Sequence, residues 1–306
     1  MLVLPPMMWA GNAVVGRLMV GSMPPVAMNA LRWLIVGLLL LPLAWRVWMR
    51  PAEWLARWPY LAALGVLGVG TYNALQYLAL QTSLPLNVTL IGASVPVWMM
   101  LVGRIGFGQR LQGRQLMGAA LSVCGVVLVI AQGQWSVLRH VHLVPGDLLM
   151  LVASLAWAVY SWLLAHPPAH MVGERRPGWD WAEFLMVQVI FGLLWAGACT
   201  GLEVHWHSRL PAAGSGPVWW PQHWQTWAGL LFIAVGPSIL AYRSWGLGVQ
   251  AVGPTMASFF GNLTPIFAAL WSALLLGELP RWYHPVALML IVAGIVVSSR
   301  SVRRPA

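Results

Sequence analysis

Polar side chains within long apolar runs are the first residues of this chain whose types and spacing could do chemistry. A polar group in such a run lacks water and is costly unless another side chain or a ligand pairs with it. Arg32 is the sharpest case, because it lies about seven residues from the end of its run and a guanidinium can hold a carboxylate through two hydrogen bonds. The amide site candidates are Asn12, Asn73, Gln76 and Asn262, and Asn29, Gln188 and Arg243 share their setting. The alternative for each is a structural pair between helices.

Two histidine pairs have a spacing that could serve a metal site, and one glycine-rich segment carries part of a nucleotide-binding pattern. His140/His142 and His205/His207 each supply only two metal ligands from a loop, and no Cys or carboxylate set completes a shell. Residues 65–70 carry part of a dinucleotide-binding pattern but lie within an apolar run, without the strand and helix that pattern requires. Close helix packing by small residues explains them better. We therefore expect neither a metal nor a cofactor.

The acidic residues lie between the apolar runs or within about two residues of their ends, whereas proton relays in membranes use acids within the run. We therefore expect no proton relay through a buried carboxylate. A membrane-embedded enzyme would need a nucleophile and a base at similar depth, but no paired carboxylates or histidines lie inside a run. We expect no enzyme. The seven acids are Glu53, Asp147, Glu174, Asp180, Glu183, Glu203 and Glu278.

Ten apolar runs must position these residues, and the composition places them in a membrane. Of the 306 residues, 59% are hydrophobic and 8% charged, against roughly 25% charged in soluble domains. Runs of about 18–24 apolar residues can cross a bilayer as helices. The sequence therefore predicts an all-α integral membrane protein of about ten transmembrane helices, at residues 2–20, 24–45, 59–80, 86–103, 114–132, 146–165, 182–202, 226–249, 254–276 and 284–299.

The distribution of positive charge predicts the orientation of these helices. The net charge is +10 and every basic residue is Arg, spread along the chain without the basic patch that a nucleic-acid-binding protein needs. With the N-terminus inside, the cytoplasmic segments hold Arg46, Arg50, Arg57, Arg104, Arg110, Arg114, Arg175, Arg176, Arg300, Arg303 and Arg304. The other side holds only Arg139, Arg209 and Arg281, with Arg17 near it. Positive residues favour the cytoplasm, so we predict a multi-pass protein of the cell (inner) membrane with both termini cytoplasmic.

An internal repeat relates the two halves of the chain. A shift of 169 residues aligns the third to fifth predicted helices with the eighth to tenth without a gap, and pairs Pro85 with Pro254, Gly92 with Gly261, Pro96 with Pro265, Gly108 with Gly277 and Gly125 with Gly294. Each copy holds five helices, and because five is odd, the second copy crosses the membrane in the opposite sense. We predict two inverted five-helix repeats, residues 1–133 and 146–300. Such repeats are characteristic of secondary transporters, whose solute site lies between the halves.

Short motifs occur in a fairly specific order along nearly the whole chain. They are Trp9-Ala10-Gly11-Asn12 with Arg17, Pro25 and Leu31-Arg32; Gly146-Asp147-Leu148-Leu149 leading to Ala156-Trp157-Ala158-Val159-Tyr160; and Thr264-Pro265 through Leu276-Gly277-Glu278. In this order they resemble the EamA-type drug/metabolite transporters. The first half departs from the family pattern where Gly108-Gln109 replaces a Gly-Glu pair. The resemblance implies ten helices in two inverted repeats, a central cavity, and export of amino acids or related metabolites.

The resemblance also singles out aromatic residues in the helices that would line the central cavity. An aromatic-lined cavity suits flat, amphipathic or cationic solutes through stacking and cation–π contacts. Most of the 21 Trp residues are expected instead at the membrane interfaces or in packing. The aromatic site candidates are Tyr72, Tyr77, Trp157, Tyr160, Tyr242 and Trp245.

Together these observations predict a secondary transporter that exports amino acids or related small amphipathic metabolites across the plasma membrane by alternating access. The alternatives are a channel, which would more naturally show a polar-lined helix or a filter motif, and a membrane-embedded enzyme. The expected partners are membrane lipid and a small-molecule solute, with no nucleic acid. The sequence leaves open the identity of the solute, the energy source, and whether the chain is a monomer or a homodimer.

Overall fold

The computed structural model describes residues 1–19, 21–83, 85–140, 142–209, 218–276 and 281–299, and within these ranges the chain is helical and contains no strand. In chain order the helices are α1 (Leu4–Leu18), α2 (Pro25–Leu40), α3 (Arg46–Met49), α4 (Pro51–Leu55), α5 (Trp58–Leu64), the π-helical segment π1 (Gly65–Thr71), α6 (Tyr72–Thr82), α7 (Pro85–Ala93), α8 (Val95–Gly106), α9 (Gly113–Ile130), α10 (Pro145–Ala165), α11 (Trp181–Arg209), α12 (Trp224–Ile233), the π-helical segment π2 (Ala234–Leu240), α13 (Ala241–Val252), α14 (Pro254–Gly261), α15 (Thr264–Leu276) and α16 (Tyr283–Ser299).

Each predicted transmembrane position holds a long helix or a near-continuous series of helices. Among the described residues, five segments are by themselves long and apolar enough to cross a membrane: Gly113–Ile130, Pro145–Ala165, Trp181–Ser208, Trp224–Val252 and Pro254–Leu274. A sixth is obtained when α7 and α8, which meet at a bend of 43°, are taken as one span. The helices α2 and α16 are shorter and apolar. The fold is that of an all-α integral membrane protein, and the segments fit the expected count of about ten.

The breaks within two of these segments follow from proline. Pro96 lies in the first turn of α8 and Pro265 in the first turn of α15. Proline has no N–H for a hydrogen bond to the preceding turn, so a helix tends to end before it and a new one to start with it. Ser94 and Thr264 accompany the breaks, and their hydroxyls donate to Ile91 O at 2.6 Å and to Gly261 O at 2.6 Å.

Two π-helical segments lie at equivalent places in the two halves. The segment π1 spans Gly65–Thr71 and π2 spans Ala234–Leu240, so their first residues and their last residues are each separated by the repeat shift of 169. The glycines of π1 permit very close packing, since a Cβ added to Gly65 would lie 2.5 Å from Gln188 O on α11. This agrees with the expectation that residues 65–70 serve helix packing.

Helices α9 and α16 pack together through small residues along a surface that we call the α9–α16 seam. A Cβ added to Gly118 would lie 2.6 Å from Gly294 O, and one added to Gly294 would lie 2.6 Å from Gly118 O. One added to Gly125 would lie 2.8 Å from Ala287 O. The two backbones therefore come into direct contact at these glycines, with the Ser298 and Ile291 side chains packed beside the contacts, as small residues allow in membranes.

The seam is symmetric under the repeat shift. The shift of 169 pairs Gly118 with Ala287 and Gly125 with Gly294. The contact of Gly118 with Gly294 therefore has its mirror image in the contact of Gly125 with Ala287. Two copies related by a two-fold axis make such reciprocal contacts, in which each residue pair recurs with the two copies exchanged.

The course of α11 differs from the expectation for three residues. Glu203, His205 and His207 were expected near or beyond the end of a helix, but α11 continues as far as Arg209. The Glu203 carboxylate accepts hydrogen bonds from Val26 N at 3.2 Å and Ala27 N at 2.9 Å, the free backbone N–H groups at the start of α2. This distant partner stabilises the extra turns of α11, and it could not be deduced from the local sequence.

Candidate functional site

Six aromatic rings from four helices meet in the main hydrophobic core. The Trp157 ring on α10 lies at the centre, with ring centroids 5.1 to 5.5 Å from those of the other five. Four of the six rings, that of Trp157 among them, are at most 4% exposed, whereas Trp9 and Tyr72 are half-buried, so the centre of this set is closed to solvent in this structure. We call this set the aromatic cluster, and its members are Trp9, Tyr72, Trp157, Tyr160, Tyr242 and Trp245.

Hydrogen bonds at the edge of the aromatic cluster fix the orientation of its rings. Trp245 Nε1 donates to Ser161 Oγ at 3.1 Å, and the Tyr160 hydroxyl donates to Gln188 Oε1 at 3.2 Å. Two further bonds reach the π segments: the Tyr242 hydroxyl donates to Gly68 O in π1, and Trp9 Nε1 donates to Pro237 O in π2 at 3.3 Å. These hydrogen bonds therefore connect the aromatic cluster to the π-helical segments π1 and π2.

Arg32 on α2 is buried beside the aromatic cluster, and no acidic partner for it lies among the described residues. It is 1% exposed, its Nε donates to Ser238 Oγ at 2.7 Å, and its Nη1 donates to the Tyr77 hydroxyl at 3.3 Å. Its Cζ lies 5.2 Å from the ring centroid of Trp33, a cation–π contact. Across the described residues no carboxylate lies within 4.0 Å of this guanidinium. A buried charge is costly unless it is paired, so Arg32 is suited to an anionic ligand.

The remaining candidates on α1 and α6 adjoin this arginine and the aromatic cluster. The Tyr77 hydroxyl donates to Asn12 Oδ1 at 3.3 Å, which links α1 through Tyr77 to Arg32. Asn73 Nδ2 lies 3.5 Å from the Tyr242 hydroxyl, at the limit of a hydrogen bond. Gln76 lies half-buried on α6, one turn beyond Asn73.

Residues at equivalent positions of the two halves meet within this site. Asn73 and Tyr242 are separated by the repeat shift of 169 and contact each other. Trp9 and Trp157, which open the first and second halves, have ring centroids 5.4 Å apart. Equivalent residues touch each other only near the axis that relates two copies. The site therefore lies at the boundary between the halves.

Two of the polar residues within apolar runs lie apart from the aromatic cluster. Asn262 occupies the break between α14 and α15, and its Nδ2 donates to Ser122 Oγ on α9 at 2.9 Å. Arg243 is exposed, and its Cζ lies 4.5 Å from the ring centroid of Trp181. These contacts pair neighbouring helices, as the structural alternative expected, and a role for Asn262 in solute binding stays a prediction.

The structure adds residues to the site that were not among the sequence candidates. Trp9 is part of the aromatic cluster, Trp33 contacts both Arg32 and Tyr242, and Ser238 accepts the hydrogen bond from Arg32 Nε. Asn29 and Gln188 were noted as polar residues in apolar runs and prove to contact π1 and the aromatic cluster. Only the adjacency of Trp33 to Arg32 in the sequence could have drawn attention to it.

Most of the described carboxylates serve helix ends. Asp147, 2% exposed, accepts from Ser83 Oγ, from Asn87 Nδ2 at 3.0 Å and from Val144 N at 2.9 Å at the start of α10. Asp180 Oδ1 accepts from Glu183 N at 2.9 Å at the start of α11. Glu278 lies outside the described residues. The absence of a proton relay through a buried carboxylate stays a prediction.

The fold and the site together define a multi-pass membrane protein of two related halves with a shared polar and aromatic centre. A profile of the EamA-like transporter family matches the chain twice, over residues 1–131 and 144–300, and the chain belongs to that family. It is therefore a membrane protein of a transporter family. The boundaries predicted for its repeats, 1–133 and 146–300, remain a prediction.

Known proteins whose sequences are similar to this chain include named transporters. The uncharacterized transporter YyaM of Bacillus subtilis (strain 168) is 25% identical over 245 residues, which cover 79% of this chain and 73% of the relative. The aromatic amino acid exporter YddG of Ancylobacter novellus is 22% identical over 297 residues, 93% of this chain and 91% of the relative. A solved crystal structure covers 99% of this chain and 98% of its own with a TM-score of 0.70 and 20% identity, which shows a shared fold. The family and these relatives are named as transporters and not as enzymes.

Proposed function

We propose that this protein is a secondary transporter that exports amino acids or related small amphipathic metabolites across the plasma membrane by alternating access. The observation that carries the proposal is Arg32, a buried guanidinium that lacks a carboxylate among the described residues and lies beside the aromatic cluster. The arginine supplies two-pronged recognition of a carboxylate. The rings supply an apolar surface for the rest of the solute. A carboxylate joined to an apolar body is the chemistry of an amphipathic amino acid.

The position of the site supports alternating access. Inverted-repeat transporters bind the solute near the membrane midplane at the repeat interface and rock one half against the other. Here the contacts of Trp9 with Trp157 and of Asn73 with Tyr242 join equivalent residues of the halves. Because Trp157, at the centre of the aromatic cluster, is buried in this structure, the solute would reach it when the halves separate. The export of amino acids by one relative, YddG, is consistent with this solute class.

Counterflow in proteoliposomes tests the proposal. Vesicles that contain the purified protein are loaded with an unlabelled amino acid, and uptake of the same labelled amino acid is measured with L-phenylalanine and L-leucine in parallel. A carrier accumulates label transiently, whereas a channel equilibrates it without accumulation. Absence of flux for both amino acids and for their carboxylate analogues would refute the proposal.

The first prediction concerns Arg32 in the same assay. We expect Arg32→Gln to weaken the apparent affinity for the amino acid about 10- to 100-fold, because hydrogen bonds to a charged group are lost. Arg243→Gln is the matched control, since Arg243 is exposed and contacts Trp181 away from the aromatic cluster, and it should leave the affinity unchanged. Equal loss in both variants would assign Arg32 to structure instead.

A further inference from the structure

Unpartnered polar atoms are concentrated on one turn of α2. Over the described residues, three buried side-chain nitrogen or oxygen atoms have no hydrogen-bond partner: Asn29 Oδ1, Trp33 Nε1 and Asn87 Oδ1. Buried polar atoms are almost always paired in folded proteins, so each exception calls for an explanation. Two of the three lie four residues apart on α2, and between them in the sequence lies Arg32, the buried guanidinium that has no carboxylate partner among the described residues.

These three residues adjoin the aromatic cluster. The Trp33 ring is 5.0 Å from that of Tyr242 between centroids and 5.2 Å from Arg32 Cζ. Asn29 Nδ2 lies 3.3 Å from Val69 O and 3.4 Å from Gly70 O in π1. The preceding residue of π1, Gly68, accepts the hydrogen bond from the Tyr242 hydroxyl. The α2 turn therefore contacts the aromatic cluster directly through Trp33 and through π1 at Asn29.

The free atoms have opposite hydrogen-bonding character. The indole Nε1 and the guanidinium are donors only, and the amide oxygen is an acceptor only. Residues four apart on a helix lie about 6 Å from each other. A carboxylate with an ammonium group on the adjacent carbon can span this distance with one hydrogen bond at each end. An anion alone would satisfy Trp33 and Arg32 but leave the Asn29 oxygen unpaired.

We propose that Asn29, Arg32 and Trp33 form a subsite for a zwitterionic head group, in which Arg32 and the Trp33 indole N–H bind the carboxylate and Asn29 Oδ1 accepts from the ammonium. This inference rests on the proposed function and narrows its solutes to those with a free ammonium group beside a free carboxylate. A solute that lacks either group leaves a buried polar atom unpaired, which sites of this kind reject strongly. Asn29 and Trp33 are thus specificity-determining residues.

Competition in the counterflow assay tests the subsite with two matched series of probes. One is L-phenylalanine, 3-phenylpropionate and L-phenylalanine methyl ester; the other is L-leucine, 4-methylpentanoate and L-leucine methyl ester. The wild type should bind each amino acid at least about tenfold more tightly than either partner compound. Trp33→Phe should reduce the preference over the ester about tenfold, and Asn29→Leu should reduce the preference over the deaminated acid about tenfold.

Controls separate recognition from folding. Trp54→Phe removes an indole N–H that already donates to Val47 O at 3.1 Å, away from the aromatic cluster, and should change neither preference. If Asn29→Leu does not fold, Asn29→Ala removes the same acceptor oxygen with a smaller side chain and should reduce the same preference about tenfold. A variant that weakens all three probes of a series equally overturns the subsite. The subsite is also overturned if the wild type transports the deaminated acid and the amino acid equally well, and that result leaves the proposed function intact. A wild type that moves none of the probes overturns both.

Discussion

At the scale of single residues, Trp157 connects the aromatic cluster, since its ring contacts the five others. Removal of the whole indole would leave a cavity and cost about 3–5 kcal/mol of stability, which would confuse packing with solute contact. Trp157→Phe keeps a ring and is the better probe. We expect it to weaken amino-acid affinity roughly tenfold, by analogy with stacking and hydrogen-bond losses of about 1.5 kcal/mol, and to lower thermal stability only slightly.

The measurements for Trp157→Phe are counterflow and thermal denaturation of the detergent-purified protein. Trp206→Phe is the control, because Trp206 is 66% exposed on α11 and lies outside the aromatic cluster. A large fall in thermal stability with unchanged affinity would mean that Trp157 serves packing alone.

The identity of the site residues was only partly accessible from sequence. Arg32 was predictable as a charge deep in an apolar run, and Trp157 and Tyr242 were predictable from the resemblance to the EamA family. The structure brings the three together; their contact with a solute stays a prediction. Trp33 and Ser238 were not, because a tryptophan or serine in a membrane helix is common. Their importance depends on how α2 and π2 are rotated about their axes, and that rotation is set by packing between distant segments.

At the scale of the elements, the long helices and the repeat shift were predictable, and the irregular turns were not. Apolar runs report helix position directly, so α10 and α16 begin and end within a few residues of the expectation. A π turn differs from an α turn by one residue in its hydrogen-bond spacing, and no residue pattern marks it. The coincidence of π1 with π2 under the repeat shift shows that the irregularity belongs to the repeat and not to one helix.

The α9–α16 seam supports a prediction about packing. Gly118→Leu places a side chain where even a Cβ would lie 2.6 Å from Gly294 O, so the helices must separate. We expect a loss of about 1–3 kcal/mol or more, measured as a lower midpoint of thermal denaturation. The control is Gly197→Leu on α11, where nothing lies within 4 Å of an added Cβ. Similar midpoints for both variants would contradict the close packing.

At the scale of the whole molecule, the orientation in the membrane is open to a direct test. Eleven arginines in the predicted cytoplasmic segments against at most four opposite predict that both termini are cytoplasmic. A green fluorescent protein fused after Ala306 should fluoresce, and an alkaline phosphatase at the same place should be inactive. The reverse pair of results would contradict the predicted topology. A fusion after Trp220, in a segment predicted to face the other side, is the internal control.

The reciprocal contacts of the α9–α16 seam have a mechanical consequence. Backbones that touch at mirrored points leave little room for the two helices to slide, so in the proposed transport cycle we expect the seam to act as a pivot and the aromatic cluster to open. Spin labels at Met117→Cys and Met289→Cys, exposed on the two seam helices, should keep one distance with and without saturating solute when the native cysteines are replaced. Labels at Leu38→Cys and Leu148→Cys, exposed on α2 and α10, should move by several ångströms. Movement of the first pair with a fixed second pair would place the pivot at the solute site and the opening at the seam.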